Sequence, residues 1–162
     1  MTRKWASLST GSASTPAPPC PPPWPQATCR SPSAIAPEGR NFPHRIIELA
    51  DELGELRVVT DEVGNPTFAP DLAQALAQLI ETDAYGVYHL TNAGYASRLD
   101  LAREILRISG REDVPIEAIT LDAFDRDSTP PRFAPLANTA AAALGIRLRP
   151  WQEALQAFLA ST

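Results

Sequence analysis

Between Val59 and Ala73 the chain gathers hydroxyl, carboxylate and turn-forming residues into one short stretch, VTDEVGNPTFAPDLA. It reads as a strand end, a Gly64-Asn65-Pro66 turn and a proline-started helix, with a hydroxyl and the Asp61 and Glu62 carboxylates gathered at the junction. Thr67 places a hydroxyl at that turn, either to donate to a phosphate or sugar oxygen or to cap the helix that Pro70 starts. Asp71 falls in the first turn of that helix, where a carboxylate complements the macrodipole. Upstream, Arg40 and Asn41 stand at a second helix start. Asn41 can serve as a plain N-cap, or can offer its amide and the helix N-terminus to a diphosphate.

Other chemistry-bearing residues read as structural. His44 and His89 have no metal-ligand or nucleophile partner at a recognisable spacing. Arg57 on a strand fits a solvated outer face better than a phosphate contact. Trp151 is expected to anchor a terminal helix in the core. Cys20 and Cys29 lack paired metal spacing, so neither a zinc site nor a structural disulfide is expected.

The elements that position these residues follow from periodicity. Asn41 to about Leu53 is a helix with Phe42, Ile46, Ile47, Leu49 and Leu53 on one face and Gly54 closing it. Leu56–Thr60 reads as a strand, and Pro70 opens a helix with a stripe of Leu72, Ala73, Leu76, Leu79 and Ile80. Gly86–Thr91 reads as a strand, and Ser97 with Asp100 as a capping box opening a helix that stops at Gly110. Val114–Thr120 is expected to be an edge strand, because Pro115 cannot donate to a central ladder. Residues 125–137 read as an irregular loop, followed by helices from Asn138 to Leu144 and from Trp151 to Leu159. Strands alternating with helices make an α/β chain. About three short strands are too few for a free-standing doubly wound sheet, so the pattern is that of part of a larger domain.

Composition divides the chain. Residues 1–37 hold nine of the 17 prolines, ten Ser/Thr, both cysteines and no acid, with a charge of +3; residues 38–162 hold all 19 acids against 11 arginines, giving 11 − 19 = −8. The head, 1–37, is expected to be disordered, since its proline runs and small residues offer little to bury. It has no apolar stretch of the secretory kind. The acidic balance without a basic cluster argues against nucleic acid as the main partner, and no apolar run is long enough to cross a bilayer. A cytoplasmic protein is expected.

Four stretches, in order, resemble the C-terminal part of the dTDP-4-dehydrorhamnose reductases, which are extended short-chain dehydrogenases/reductases. They are APEGRNFPHRII (36–47), LRVVTDEVGNPTFAPDLAQAL (56–76), GVYHLTNAGYASRLDLAREIL (86–106) and LGIRLRPWQEAL (144–155). The resemblance covers about residues 36–160. It implies the C-terminal part of a Rossmann-like NAD(P)-binding fold with the small substrate-binding subdomain, lacking the N-terminal nucleotide-binding half. It also names Asp61, Glu62, Gly64, Pro66 and Thr67 as substrate-binding positions, to which Asn41 is added as a helix start beside the presumed site. The chain departs from the family pattern at several places. Glu62 stands where the family usually has Gln, and Arg98 and Leu99 stand where it has Trp and Tyr. Pro130 and Ala134 occupy the Arg and Ser places of a later loop. Upstream of Ala36 the pattern dissolves.

The intact family implies hydride transfer from NADPH or NADH to the C4 carbonyl of dTDP-4-dehydro-L-rhamnose. That chemistry needs a Gly-rich first turn under the cofactor pyrophosphate, and a Tyr-x-x-x-Lys pair in which the lysine charge lowers the tyrosine pKa. The eight glycines are too dispersed for the turn, and the sole lysine, Lys4, has no residue four places before it. No catalytic, cofactor-binding or metal-binding residue is therefore expected in this chain, and no cofactor should bind it alone. A dTDP-linked deoxyhexose is expected to bind weakly at most. A homo-oligomer or a separate N-terminal half is the expected protein partner. An acid-free head joined abruptly to patterned sequence at Ala36 is also what an out-of-frame reading of a GC-rich gene yields. Two other readings are a regulatory or interaction subunit on the same fold and a truncated product without function.

Overall fold

The computed structural model describes residues 34–36, 41–123 and 130–161. Helix α1 (Phe42–Leu53) starts where Asn41 accepts the His44 N–H at 3.1 Å, and ends at Gly54, whose φ of 70° only glycine adopts without strain. Strand β2 (Leu56–Val59) then runs parallel to β6 (Ile116–Ile119) in the register Leu56↔Ile116 to Val59↔Ile119. Pro115 lies just outside that ladder, as an edge proline must, although its carbonyl accepts from Leu56 N. Two further pairs are two residues long. Strand β1 (Ala34–Ile35) is parallel to β4 (Thr67–Phe68), and β3 (Val63–Gly64) is antiparallel to β5 (Ala96–Ser97). Helix α2 (Ala69–Ile80) follows β4 directly, and helix α3 (Arg98–Ile108) follows β5. A 3₁₀ turn at Leu121–Ala123, a short helix α4 (Thr139–Ala143) and helix α5 (Trp151–Ala160) complete the described chain.

The main core lies between α1, α3, α5 and β2. Ile46, Leu56, Val58, Ile105, Leu106, Leu155 and Phe158 form it, with Trp151 as expected among them. Helix α3 is held by the full capping box, Ser97 Oγ accepting from Asp100 N and the Asp100 carboxylate accepting from Ser97 N.

Several expectations need correction. Ile35 is buried in the main core, so residues counted with the head belong to the folded unit; two paired residues are invisible in the composition of 37. The rest of the head lies outside the described residues. Leu53, placed on the buried face of α1, is 64 % exposed, while Pro43 and Ala50 take the interior. On α2 the apolar stripe is largely open: Leu76 and Ile80 are exposed and Ala75 alone is buried, against Ala141 and Ile146. Gly86–Thr91 is not a strand. A strand needs a ladder partner, and among the described residues none lies beside it. The first backbone pairing after it is the single bridge Ala93↔Pro150.

Candidate functional site

The end of β2 feeds directly into the site. Thr60 N continues the β2–β6 ladder to the Ile119 carbonyl, and the chain then leaves it at Asp61. Asp61 is fixed on both carboxylate oxygens: one accepts from Leu121 N at 2.7 Å, and the other meets the Arg132 guanidinium, which also reaches Asp122 at 2.6 Å. Strand β3 is gripped on both sides. Its antiparallel partner β5 lies on one side, and on the other Val63 exchanges hydrogen bonds with Arg132 O and Ala134 N, at 2.8 and 3.0 Å. This miniature three-stranded arrangement carries three remote parts of the sequence to one place.

Glu62 and Arg98 form the centre of that arrangement. Arg98 Nε and Nη2 both donate to Glu62 Oε1, at 3.2 and 2.9 Å, and Arg98 N donates to the Glu62 carbonyl at 3.0 Å. The two side chains are only 12 % and 10 % exposed. The guanidinium carbon lies 4.9 Å from the centroid of the Phe42 ring, which ties the pair to the start of α1. Such a buried pair is tolerated because each charge neutralises the other. It forms one wall of a cavity of about 180 Å³, which Val63, Gly64, Pro66, Leu101, Pro130 and Ala134 also line.

Three asparagines cross-link the loops around β3, β4 and α5. Asn65, buried, donates to the Gly94 and Leu136 carbonyls and accepts from Leu136 N, so it clamps the loop after Pro130 to the turn before β5. Asn92, fully buried, accepts from Phe68 N at 2.8 Å and donates to Asp71 and to the Arg149 carbonyl. Asn138 binds both the N–H and the carbonyl of Thr91 through its side chain. Asp71 makes a bidentate pair to Arg149, both contacts at 2.8 Å. Burial raises the Asp71 pKa, but the hydrogen bonds from Arg149 and Asn92 outweigh it and hold the carboxyl below its ordinary value. The same pair raises the pKa of Arg149.

Of the six expected substrate positions, the structure brings Glu62, Gly64 and Pro66 together at the cavity. The other three do structural work close by. Asn41 caps α1 and donates its amide to the Ala36 carbonyl at 2.7 Å. Asp61 anchors the Leu121 turn and Arg132. Thr67 is buried and donates to the Asn65 carbonyl at 3.1 Å, while α2 begins on Phe68 with no side-chain cap, so the capping alternative for Thr67 is not formed. Arg57 is a solvated residue paired across the ladder with Glu117. Arg40 lies outside the described residues. Asn65, Asn92, Asn138 and Arg149 were not singled out by sequence. The only local signal was that the first two sit in turn sequences, Gly-Asn-Pro and Asn-Ala-Gly, where asparagine is ordinary. Among the described residues no group of three or more His, Cys, Asp or Glu side chains is placed to hold a metal. No helix among them is long and apolar enough to cross a membrane.

Residues 27–162 match the family model described as the RmlD substrate binding domain. That match begins upstream of Ala36, where the motif reading loses the pattern. The chain is 36 % identical over 121 residues to the spore coat polysaccharide biosynthesis protein SpsK of Bacillus subtilis, covering 75 % of this chain and 42 % of that protein. It is 35 % identical over 121 residues to a dTDP-4-dehydrorhamnose reductase of Mycolicibacterium smegmatis, covering 74 % and 37 %. The crystal structure of dTDP-4-dehydrorhamnose reductase from Bacillus anthracis in complex with NADP superposes with a TM-score of 0.74 at 27 % identity, over 80 % of this chain and 46 % of that one. The chain thus spans less than half the length of these relatives, and its α/β fold corresponds to a portion of theirs.

Proposed function

Because this chain belongs to the RmlD substrate binding domain family, we propose that it is the sugar-nucleotide-holding portion of a nicotinamide-dependent reductase of dTDP-linked 4-keto sugars. The observation that carries the reading is the cavity at β3, where Glu62, Gly64 and Pro66 meet the start of α3 and the loop at Pro130. Glu62 and Arg98 present acceptor and donor groups to a ligand there. Asn41, Asp61 and Thr67 act one step back, fixing the start of α1, the Leu121 turn and the Asn65 turn. In this role the chain orients the substrate, while hydride transfer belongs to groups it does not carry, since it contains no Tyr-x-x-x-Lys and no Gly-rich turn. NADP is bound in the crystallised relative; this chain alone binds neither NADPH nor NADH.

Titration calorimetry tests the reading. The purified 162-residue chain should take up dTDP-L-rhamnose saturably and show no heat with NADPH. Saturable NADPH binding, or no uptake of the sugar nucleotide at any workable concentration, contradicts it. The exposed Ile80, Tyr85 and Val87 favour a second reading, in which the same fold serves as an interaction subunit. Recovery of a stoichiometric protein partner together with the absence of sugar-nucleotide binding distinguishes that case.

A further inference from the structure

We infer that residues 85–90 are an open sheet edge to which a second copy of this chain adds its own residues 85–90 in antiparallel register. The resulting two-fold dimer is independent of what the cavity at β3 holds. Side chains in this run alternate as on a strand: Tyr88 and Leu90 pack against Ala75, Ala141 and Ile146, whereas Val87 and His89 are exposed. Among the described residues, none of the run's backbone N–H or carbonyl groups has a hydrogen-bond partner. The run is bounded at both ends. Ala84 N donates to Thr82 Oγ1 at 3.3 Å, and the Asn138 side chain takes both the N–H and the carbonyl of Thr91. Between these limits lies a row of unpaired donors and acceptors on a half-packed segment, which is a template for strand addition. The residues that ordinarily blunt such an edge are missing from it, since it holds no proline, lysine, arginine or acid.

The run is complementary to itself, which makes the second copy its occupant. A two-fold axis at Tyr88 sets Gly86 opposite Leu90 and Val87 opposite His89, so each face of the run continues into the same face of its copy. A slip of one residue would set the exposed Val87 against the packed Tyr88, and burial therefore specifies the register. One step further out, Tyr85 stands opposite Thr91, an aromatic against a β-branched residue. No like charges meet, because the nearest acids, Glu81 and Asp83, lie before the run. Tyr85 and Val87, 94 % and 86 % exposed, gain apolar cover in the pair.

The test follows the full chain by sedimentation and by amide hydrogen exchange from low to high protein concentration. A monomer–dimer equilibrium is expected, and amides of residues 86–90 that enter the ladder should exchange about tenfold or more slowly as the dimer fills. Gly86→Pro and Val87→Pro each remove a donor that makes no bond within the chain. Successive N–H groups on an extended run point to opposite sides, so one of the two lies in the ladder. That variant should dimerise about tenfold or more weakly, while its unfolding free energy, measured at dilution, stays near that of the parent. Exchange in the unaltered chain decides the matter even if a proline variant fails to fold. A chain that stays monomeric, open-ended aggregates in place of a dimer, a dimer whose residues 86–90 exchange as fast as in the monomer, or two folded proline variants that dimerise like the parent would each overturn the inference.

Discussion

At the scale of single residues, Asp71 and Asn92 have the clearest consequences. Asp71 has a folded-state pKa below its ordinary value of 3.8, so it binds its proton less readily folded than unfolded. Its contribution is therefore complete above the unfolded pKa and is lost as pH falls through the lowered folded value. Asp71→Asn should cost about 1–2 kcal/mol near neutral pH, a figure reduced because Arg149 is partly exposed, and the cost should shrink below pH ~3.8 in urea melts. A cost that stays constant down to acid pH would show that the Arg149 pair contributes little. Asn92→Ala strands the Phe68 N–H and should cost about 2–3 kcal/mol by the same measurement. Asn92→Asp keeps that acceptor but sets a second carboxylate against Asp71, so its destabilisation should ease as pH is lowered. In the sequence Asp71 stands at a helix start, where the dipole alone is reason enough for a carboxylate. Arg149 is 78 residues away, and no local pattern announces a partner at that distance. Thr67 is the same lesson reversed: its type fitted a cap, but the chain turns so that Asn65 O is nearer.

Elements were legible where their cause is local. The Asn41 cap, the Gly54 stop and the Ser97–Asp100 box all lie within one helical turn of what they satisfy, and all three form as read. Ser97→Ala should cost about 1 kcal/mol, seen as a lower urea midpoint with an unchanged slope. Gly94 is a stricter case. Its φ is 87°, and an added Cβ would come within 3.1 Å of the Trp151 ring. Gly94→Ala should therefore destabilise by about 2 kcal/mol or more through backbone strain and displacement of Trp151, with a matching change in tryptophan fluorescence. Gly86–Thr91 shows where local reading ends. Its residues read locally as a strand, yet a strand exists only with a neighbour to bond. The cavity was legible to the same degree: Glu62, Gly64 and Pro66 came from one motif, whereas Arg98, Pro130 and Ala134 reach it only through the pairings of β3.

For the whole molecule, the decisive quantity is how little of the relatives' length is present, 42 % of the SpsK protein and 46 % of the crystallised reductase. Among the described residues several large apolar side chains are exposed. Ile80 is 77 % exposed, Tyr85 94 % and Val87 86 %, while Leu76 on the same helix as Ile80 is also exposed. The chain should accordingly bind a hydrophobic dye and self-associate with rising concentration. Ile80→Lys with Val87→Lys should reduce both signals while leaving the unfolding free energy within about 0.5 kcal/mol of the parent, because both side chains are exposed. Unchanged dye binding would mean that the open surface lies elsewhere. The same partial length bears on the proposed function, in which the cavity at β3 orients the substrate and the hydride-transfer groups lie outside this chain. The most direct test is a turnover assay of the purified chain with NADPH and dTDP-4-dehydro-L-rhamnose, followed by loss of NADPH fluorescence and by recovery of the sugar nucleotide. The prediction is that the keto-sugar is recovered unreduced with no NADPH consumed, whereas NADPH loss matched by dTDP-L-rhamnose formation would contradict it.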